Sequence, residues 1–496
     1  MTPQGFTRDG HDPPARTVAH HQGATLRQVD RRICWARMLE LDEPTREALF
    51  RRFLDRDRER RRTLVDAPVA RNEASVREWL GPSNPATALD SVMDALDDGI
   101  VPTDHPRYFG LFNSATTALG VLADAVASAW NPQLATRGHA AYPVAAEERV
   151  LAAIGERFGY ARDEVRGTFT SGGGEANVTA LLCALATRFP DWGERGVAAL
   201  GTAPRVYASA EGHATVVRAA RLAGLGSSAV RSIPVGADMR MKTSALADAM
   251  ARDARDGAVP LLVVATAGTT STGAIDPLPE IARLTERHRA WLHVDAAGVG
   301  SPRSSPSSPP RSPDRARRTL DWRSILRWAM SAPMGTGALL TRRDGALERV
   351  FAESTGYMPR DGARDPYARS FQWSRRFIGL RVLLPLAVHG WAGHADALRK
   401  KLALAERLRT GLRASGWKLV AETPLPIVCF VDGDRDDAKH LDAIARRVIA
   451  SNGGWLSVPR LTNGARALRA CVNNHRTGEA DVDRLLDALN EARGIV

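Results

Sequence analysis

Four short runs carry residue types that could hold an anion and an aromatic ring. Thr170-Ser171-Gly172-Gly173-Gly174-Glu175-Ala176-Asn177 lies between a strand-like run, VRGTFTS, and a strongly helical one. Glycines let the backbone approach a phosphate, and a helix N-terminus offers unpaired N–H groups at the positive end of its dipole. On these residues alone, such a turn is more often structural. His213, in SAEGHATVV, follows the strand-like PRVYASA and could lie face-on to a ring or be an ordinary surface or core histidine. Thr266 to Thr270 end a buried run with small hydroxyl residues that can bind a phosphate or a ring substituent. His293-Val294-Asp295-Ala296-Ala297 closes another apolar run on one carboxylate. An open α/β sheet places ligand contacts at such strand ends. A carboxylate there would keep an aromatic ring nitrogen protonated; the plainer reading of Asp295 is a helix N-cap.

The elements that must position these residues alternate. From about Leu111 to Ala297, strand-like runs (VRGTFTS, PRVYASA, PLLVVATAG, AWLHVDAA) alternate with helical ones (ANVTALLCALATRF, TVVRAARLAG, LPEIARLTERH). Alternation of this kind implies crossover connections and a largely parallel sheet covered on both faces. Before it, residues 1–34 are polar with no apolar period and read as a disordered tail, and 35–104 read as amphipathic helices. The large domain is expected over 105–370. Residues 371–496 mix helices (IGLRVLLPLAVHGWAG, ALRKKLALAERLRTGLRASG, one near 437–451 and ADVDRLLDALNEA) with the strands PLPIVCFVDG and ALRACVNN, the makeup of a small α+β domain.

Composition excludes several classes. With 496 residues and 44% hydrophobic content the chain can bury a large core. Cys34, Cys183, Cys429 and Cys471 form no CxxC pair, which argues against a zinc site or a disulfide framework and for a reducing cytoplasm. No run of about 18 apolar residues occurs to cross a membrane, and the N-terminus lacks the apolar stretch of a secretory signal. The net charge of +12 raises the question of nucleic acid, but only five of the 68 basic residues are lysines and no recognition motif accompanies the charge.

In this order, the four motifs resemble the group II pyridoxal-phosphate-dependent amino-acid decarboxylases, the aromatic-amino-acid and glutamate decarboxylase relatives, over about His105 to Asn490. The resemblance implies a fold type I α/β large domain with a mostly parallel sheet, a small C-terminal domain, a homodimer, and removal of the α-carboxylate of an L-amino acid. It implies that Gly173 and Gly174 hold the cofactor phosphate, with glycine at 174 where relatives often carry a hydroxyl residue. His213 would stack on the ring, Thr266 would contact the cofactor, and Asp295 would pair with the pyridine nitrogen beside Ala297. The segment HPRYFGLFNSAT (105–116) resembles the family's substrate pocket and nominates Phe112 and Ser114. Tyr357, in STGYMP, resembles the tyrosine that protonates the substrate carbon. An aminotransferase or carbon–carbon lyase shares the phosphate and Asp motifs, but HPRYFG and RACVNNHRTG count against it.

One passage departs from the pattern. Family members carry a His-Lys-Trp triplet on a second strand after HVDAA, and its lysine forms the Schiff base. Arginine cannot replace it, because its guanidinium stays charged and weakly nucleophilic. Here no lysine occurs between Lys242 and Lys400. Counting back from Pro333-Met334-Gly335-Thr336-Gly337, where the family pattern resumes, puts the lysine's slot at Trp328, beside Arg327. Residues 298–329 are anomalous throughout: SPRSSPSSPPRSPDRARR (301–318) has five prolines and can build neither strand nor helix core. Spacing kept while content is lost suggests a locally shifted and restored reading frame, with a central strand missing. The rival is a genuine lysine-less paralogue that binds the cofactor without catalysis.

Overall fold

Seven strands form the main sheet of the computed structural model: β1 (Arg166–Thr170), β2 (Pro204–Ser209), β3 (Val230–Ile233), β4 (Val259–Thr266), β5 (Trp291–Asp295), β6 (Trp322–Ile325) and β7 (Gly337–Thr341). Their spatial order is β1-β7-β6-β5-β4-β2-β3. β2, β3, β4, β5 and β6 pair in parallel; β7 runs antiparallel to both β6 and β1. The structure describes residues 42–69, 84–113, 115–297, 322–325, 331–354, 356 and 365–495. The proposed tail 1–34 and the sites Ser114, Arg327, Trp328 and Tyr357 lie outside them, as does most of 298–329.

The sheet is buried on both faces because its strands are apolar on both. Side chains alternate across a strand. Val263 and Ala265 of β4 join one core cluster, together with Leu292 and Val294 of β5, while Leu262 and Val264 join another with Trp291. Near-continuous apolar runs are what a two-sided parallel sheet requires. Helices fill the crossovers, among them Gly173–Arg188, Thr215–Leu222, Thr243–Arg255 and Leu278–Arg287.

One expectation is corrected. The central strand that the Ser/Pro/Arg-rich passage was expected to remove is present: β6 pairs His293↔Trp322 through Asp295↔Ser324 on one side and Arg323↔Leu340 through Ile325↔Ala338 on the other. It is built from Trp-Arg-Ser-Ile, just past the proline-rich run. A slot between two strands offers backbone partners on both edges, so four residues free of proline suffice to fill it.

A second sheet, β10-β9-β8, is antiparallel and comprises β8 (Trp417–Leu419), β9 (Ile427–Asp432) and β10 (Leu468–Cys471). It packs with helices Ala438–Ala450 and Glu479–Ile495 around a core of its own. The two helical runs read from 378 onward form one element, Leu380–Ala414, broken at Gly390 (φ 59°, ψ −178°). Contacts divide the chain into a small unit, holding helix Glu43–Thr63 up to Arg62 and the start of Pro85–Gly99, and a large unit with the rest. Within the small unit Arg52 pairs with Asp90. No described helix is long and apolar enough to cross a membrane.

Candidate active site

Of the nominated residues that the structure describes, Gly173, Gly174, His213, Thr266, Asp295 and Ala297 lie at or just beyond the C-terminal ends of β1, β2, β4 and β5, where an open α/β sheet places ligand contacts. β1 ends at Thr170, whose hydroxyl donates to the Gly172 carbonyl at 3.0 Å. Gly172 has φ +156°, and helix Gly173–Arg188 starts directly after it with no side chain capping its N–H groups. Glu175, in the first turn, folds back instead: its Oε2 accepts from the Ser171 amide (2.8 Å), the Ser171 hydroxyl (2.6 Å) and Gln372 Nε2 (3.2 Å). The amides of Gly173 and Gly174 thus keep their capacity for an anion. A Cβ on Gly337 would meet Thr170 Oγ1 at 2.6 Å and Gly172 Cα at 2.8 Å, so only glycine lets the start of β7 lie against this turn. A Cβ on Gly174 would meet only Thr215 Cγ2, at 3.4 Å, which leaves room for a larger residue.

Asp295 is the last residue of β5 and is 6% exposed. Its Oδ2 accepts from Asn177 Nδ2 at 3.0 Å and its Oδ1 from the Ala297 amide at 3.1 Å. Among the described residues, no lysine or arginine forms an ion pair with it. A buried carboxylate normally demands a cation, and here its two partners are neutral. The plain N-cap reading of Asp295 has no described helix to cap.

His213 is exposed in the loop between β2 and helix Thr215–Leu222, and its Nδ1 lies 2.8 Å from Thr215 Oγ1 and 3.2 Å from the Thr215 amide. Its orientation is therefore fixed from one ring edge while a ring face stays open. Thr266 ends β4 directly beside Asp295 in the β4–β5 register. Its amide donates to Asp276 Oδ2 at 2.8 Å, and Asp276 Oδ1 accepts from the Met241 amide at 2.8 Å. Burial pushes the Asp276 carboxyl up to about 6. Phe112 is half-buried against the core that includes Val263 and Val294.

Three residues not nominated from the sequence complete the arrangement. Asn177 touches Asp295, Thr215 (Nδ2 to Oγ1, 2.9 Å) and His293 (Oδ1 to Nε2, 2.7 Å). His293 is fully buried, and burial holds its pKa down at about 4. The available signal was a polar residue in a helix whose next turns, Ala176 to Ala186, are almost wholly buried and apolar.

The segments HPRYFG and RACVNNHRTG are joined. Arg469 Nη2 donates to the Gly110 carbonyl, Asn473 to Leu111, Asn474 to His105 and Thr477 to Pro106. The Cys471 amide adds a bond to the Phe109 carbonyl. The C-terminal block thus fixes the backbone that leads into Phe112.

The five lysines stand on other elements. Lys242 is the residue before helix Thr243–Arg255, Lys400 and Lys401 are on Leu380–Ala414, Lys418 is in β8, and Lys439 is in Ala438–Ala450. None of them is bonded to Asp295, His213, Thr266 or the glycine turn among the described residues.

Residues 83–432 match the family model of the pyridoxal-dependent decarboxylase conserved domain. The chain is 32% identical to an L-2,4-diaminobutyrate decarboxylase of Rhizobium meliloti over 80% of this chain and 79% of that one. It is 30% identical to tryptophan decarboxylase 1 of Oryza sativa, over 70% and 72% respectively. A crystal structure of mouse CSAD superposes with a TM-score of 0.81 at 25% identity, covering 91% of this chain and 99% of that one.

Proposed function

Since this chain belongs to the pyridoxal-dependent decarboxylase family, we propose that the crevice at the ends of β1, β2, β4 and β5 holds pyridoxal phosphate and an L-amino acid, and that the chain as written is severely impaired in decarboxylation. Bound there, the cofactor supplies an electron sink that takes up the electrons left when the α-carboxylate departs as CO2.

The observation that carries the reading is Asp295, a buried carboxylate with two neutral donors and no basic partner among the described residues. It would keep the ring nitrogen protonated. Gly173 and Gly174 would bind the phosphate through their amides. His213 would cover one ring face, while Thr266 and Ala297 would line the cofactor's edge. Phe112 and Ser114 would border the substrate, and Tyr357 would return a proton to its α-carbon.

Impairment follows from the residue at 328. The covalent anchor of the family is a lysine amine, and tryptophan cannot supply one. Residues 298–329 would then be a frame-shifted passage, and resequencing the gene would reveal it. A non-catalytic cofactor-binding protein is the second reading, favoured by the same missing lysine.

Three coarser parts complete the proposal. The cofactor domain spans 105–370 and a small domain 371–496. A homodimer is supported by large apolar side chains left exposed on neighbouring elements: Leu122 and Trp130 on one helix, Tyr142 on the next, Met334 and Phe371. Three described cysteines, Cys183, Cys429 and Cys471, are buried and free, which suits the cytoplasm.

The test is CO2 release from a panel of aromatic, acidic and diamino L-amino acids. Turnover on the order of 10 per second, the usual scale for enzymes, would overturn the impairment. Cofactor binding without turnover supports it.

A further inference from the structure

Asn177 uses its whole amide on three residues of the site, two on β5 and one on the helix Thr215–Leu222, and the donor–acceptor chemistry leaves one arrangement of hydrogens. Nδ2 faces the Asp295 carboxylate, which can only accept. Turning the amide over would set two acceptor oxygens against each other, so the orientation is determined. Oδ1 then accepts from His293, so His293 carries its hydrogen on Nε2. The other ring nitrogen, Nδ1, is buried without a partner among the described residues. The second Nδ2 hydrogen goes to Thr215 Oγ1. With that oxygen accepting, the Thr215 hydroxyl hydrogen is free to donate to His213 Nδ1, to which the Thr215 amide also points.

We propose that Asn177 is the positioning residue of the cofactor site, aligning through one side chain the carboxylate meant for the ring nitrogen and the imidazole meant for the ring face. The proposal rests on the reading that pyridoxal phosphate binds here and extends it to a residue that touches no reacting atom. Asn177 is 3% exposed and lies one turn inside the helix whose N-terminus would hold the phosphate, so the three holds on the cofactor share one rigid origin. Burial lowers the His293 pKa and keeps this imidazole neutral.

The test is a pyridoxal phosphate titration, followed by absorbance and visible circular dichroism, of the full chain and the variants Asn177→Asp and Asn177→Leu across about pH 5.5–8.5, with melting temperatures of the unliganded proteins beside it. A carboxylate at 177 would face Asp295, and two acids in one buried site cannot both ionise easily. Once protonated, the new carboxyl regains one donor and resembles the amide. Asn177→Asp should therefore bind about tenfold to a hundredfold more weakly at high pH and recover towards the unsubstituted protein as pH falls. Asn177→Leu should bind weakly at every pH with no recovery. Thr215→Val removes the hydroxyl that links Asn177 to His213 and leaves the bonds of Asn177 to Asp295 and His293 in place. It should keep the melting temperature and most of the affinity while changing the dichroism of the bound ring.

A folded Asn177→Asp protein with unchanged affinity and pH slope would overturn the proposal. Unchanged dichroism in Thr215→Val would do the same, and serves as the check should Asn177→Leu fail to fold. No binding by the unsubstituted protein at any pH would remove the cofactor reading itself.

Discussion

The two strands at the centre of the main sheet differ in what they deliver. β5 ends on Asp295, with both oxygens bonded and a buried network behind it through Asn177, Thr215 and His293. β6, its parallel neighbour, keeps its backbone register with β5 and β7, and the sequence beyond it runs to Arg327 and Trp328, the position proposed above for the family's lysine. Strand pairing asks only for backbone donors and acceptors, so it survives a change of content. Covalent chemistry asks for one side chain and does not. On the proposed function, holding a cofactor and using it would be separable properties of adjacent strands.

The comparison breaks most sharply if the amine is returned. Trp328→Lys is expected to turn a chain with no borohydride-reducible cofactor adduct into one that forms it, read by intact mass. Failure, with the protein folded and cofactor bound, would show that the slot lies elsewhere in the passage. Next in size, Asp295→Ala should weaken pyridoxal phosphate binding by a hundredfold or more, on the order of 3 kcal/mol for a charge-assisted contact. An equal loss in any β6 substitution would erase the contrast between the strands.

Asp276 gives an effect with a defined sign. Its folded pKa of about 6 lies above the ordinary 3.8, so the folded chain holds this proton more tightly than the unfolded one. Its contribution is therefore present below about pH 4 and is lost as pH rises to about 6, by roughly 3 kcal/mol over the two units. Asp276→Asn should remove that part of the slope. Denaturant melts at pH 4 and pH 7 should show the variant gaining on the parent by about that amount. Equal slopes would mean that burial at the end of β4 does not perturb the acid. The smallest effect expected is at Gly174, where a Cβ has room: Gly174→Ser should tighten phosphate binding by a few-fold through one added hydroxyl donor.

Much of the fold was legible because its central strands are apolar on both faces. β1, β2, β4 and β5 were read as VRGTFTS, PRVYASA, PLLVVATAG and AWLHVDAA, and each holds the corresponding strand. β3 was not read: of its four residues, Val230, Arg231 and Ser232 are partly or fully exposed at the sheet's edge, two of them polar, and only Ile233 is buried. β8 is three residues long, too short to show a period. β6 was taken as lost, because composition over thirty residues hid four that pair on both edges. In the site, Thr266 and Asp295 stand at strand ends and His213 in the loop after β2, positions at which an open α/β sheet places ligand contacts and which the sequence shows. Asn177 stands inside a helix, and only three-dimensional contact reveals its three partners.

The measurement closest to the central claim is reduction of the unsubstituted protein with borohydride after incubation with pyridoxal phosphate, followed by intact mass. The account expects a cofactor-dependent absorbance band before reduction and no added mass after it. Added mass of one cofactor per chain, mapped to any of Lys242, Lys400, Lys401, Lys418 or Lys439, would contradict it and show that another lysine serves as the anchor.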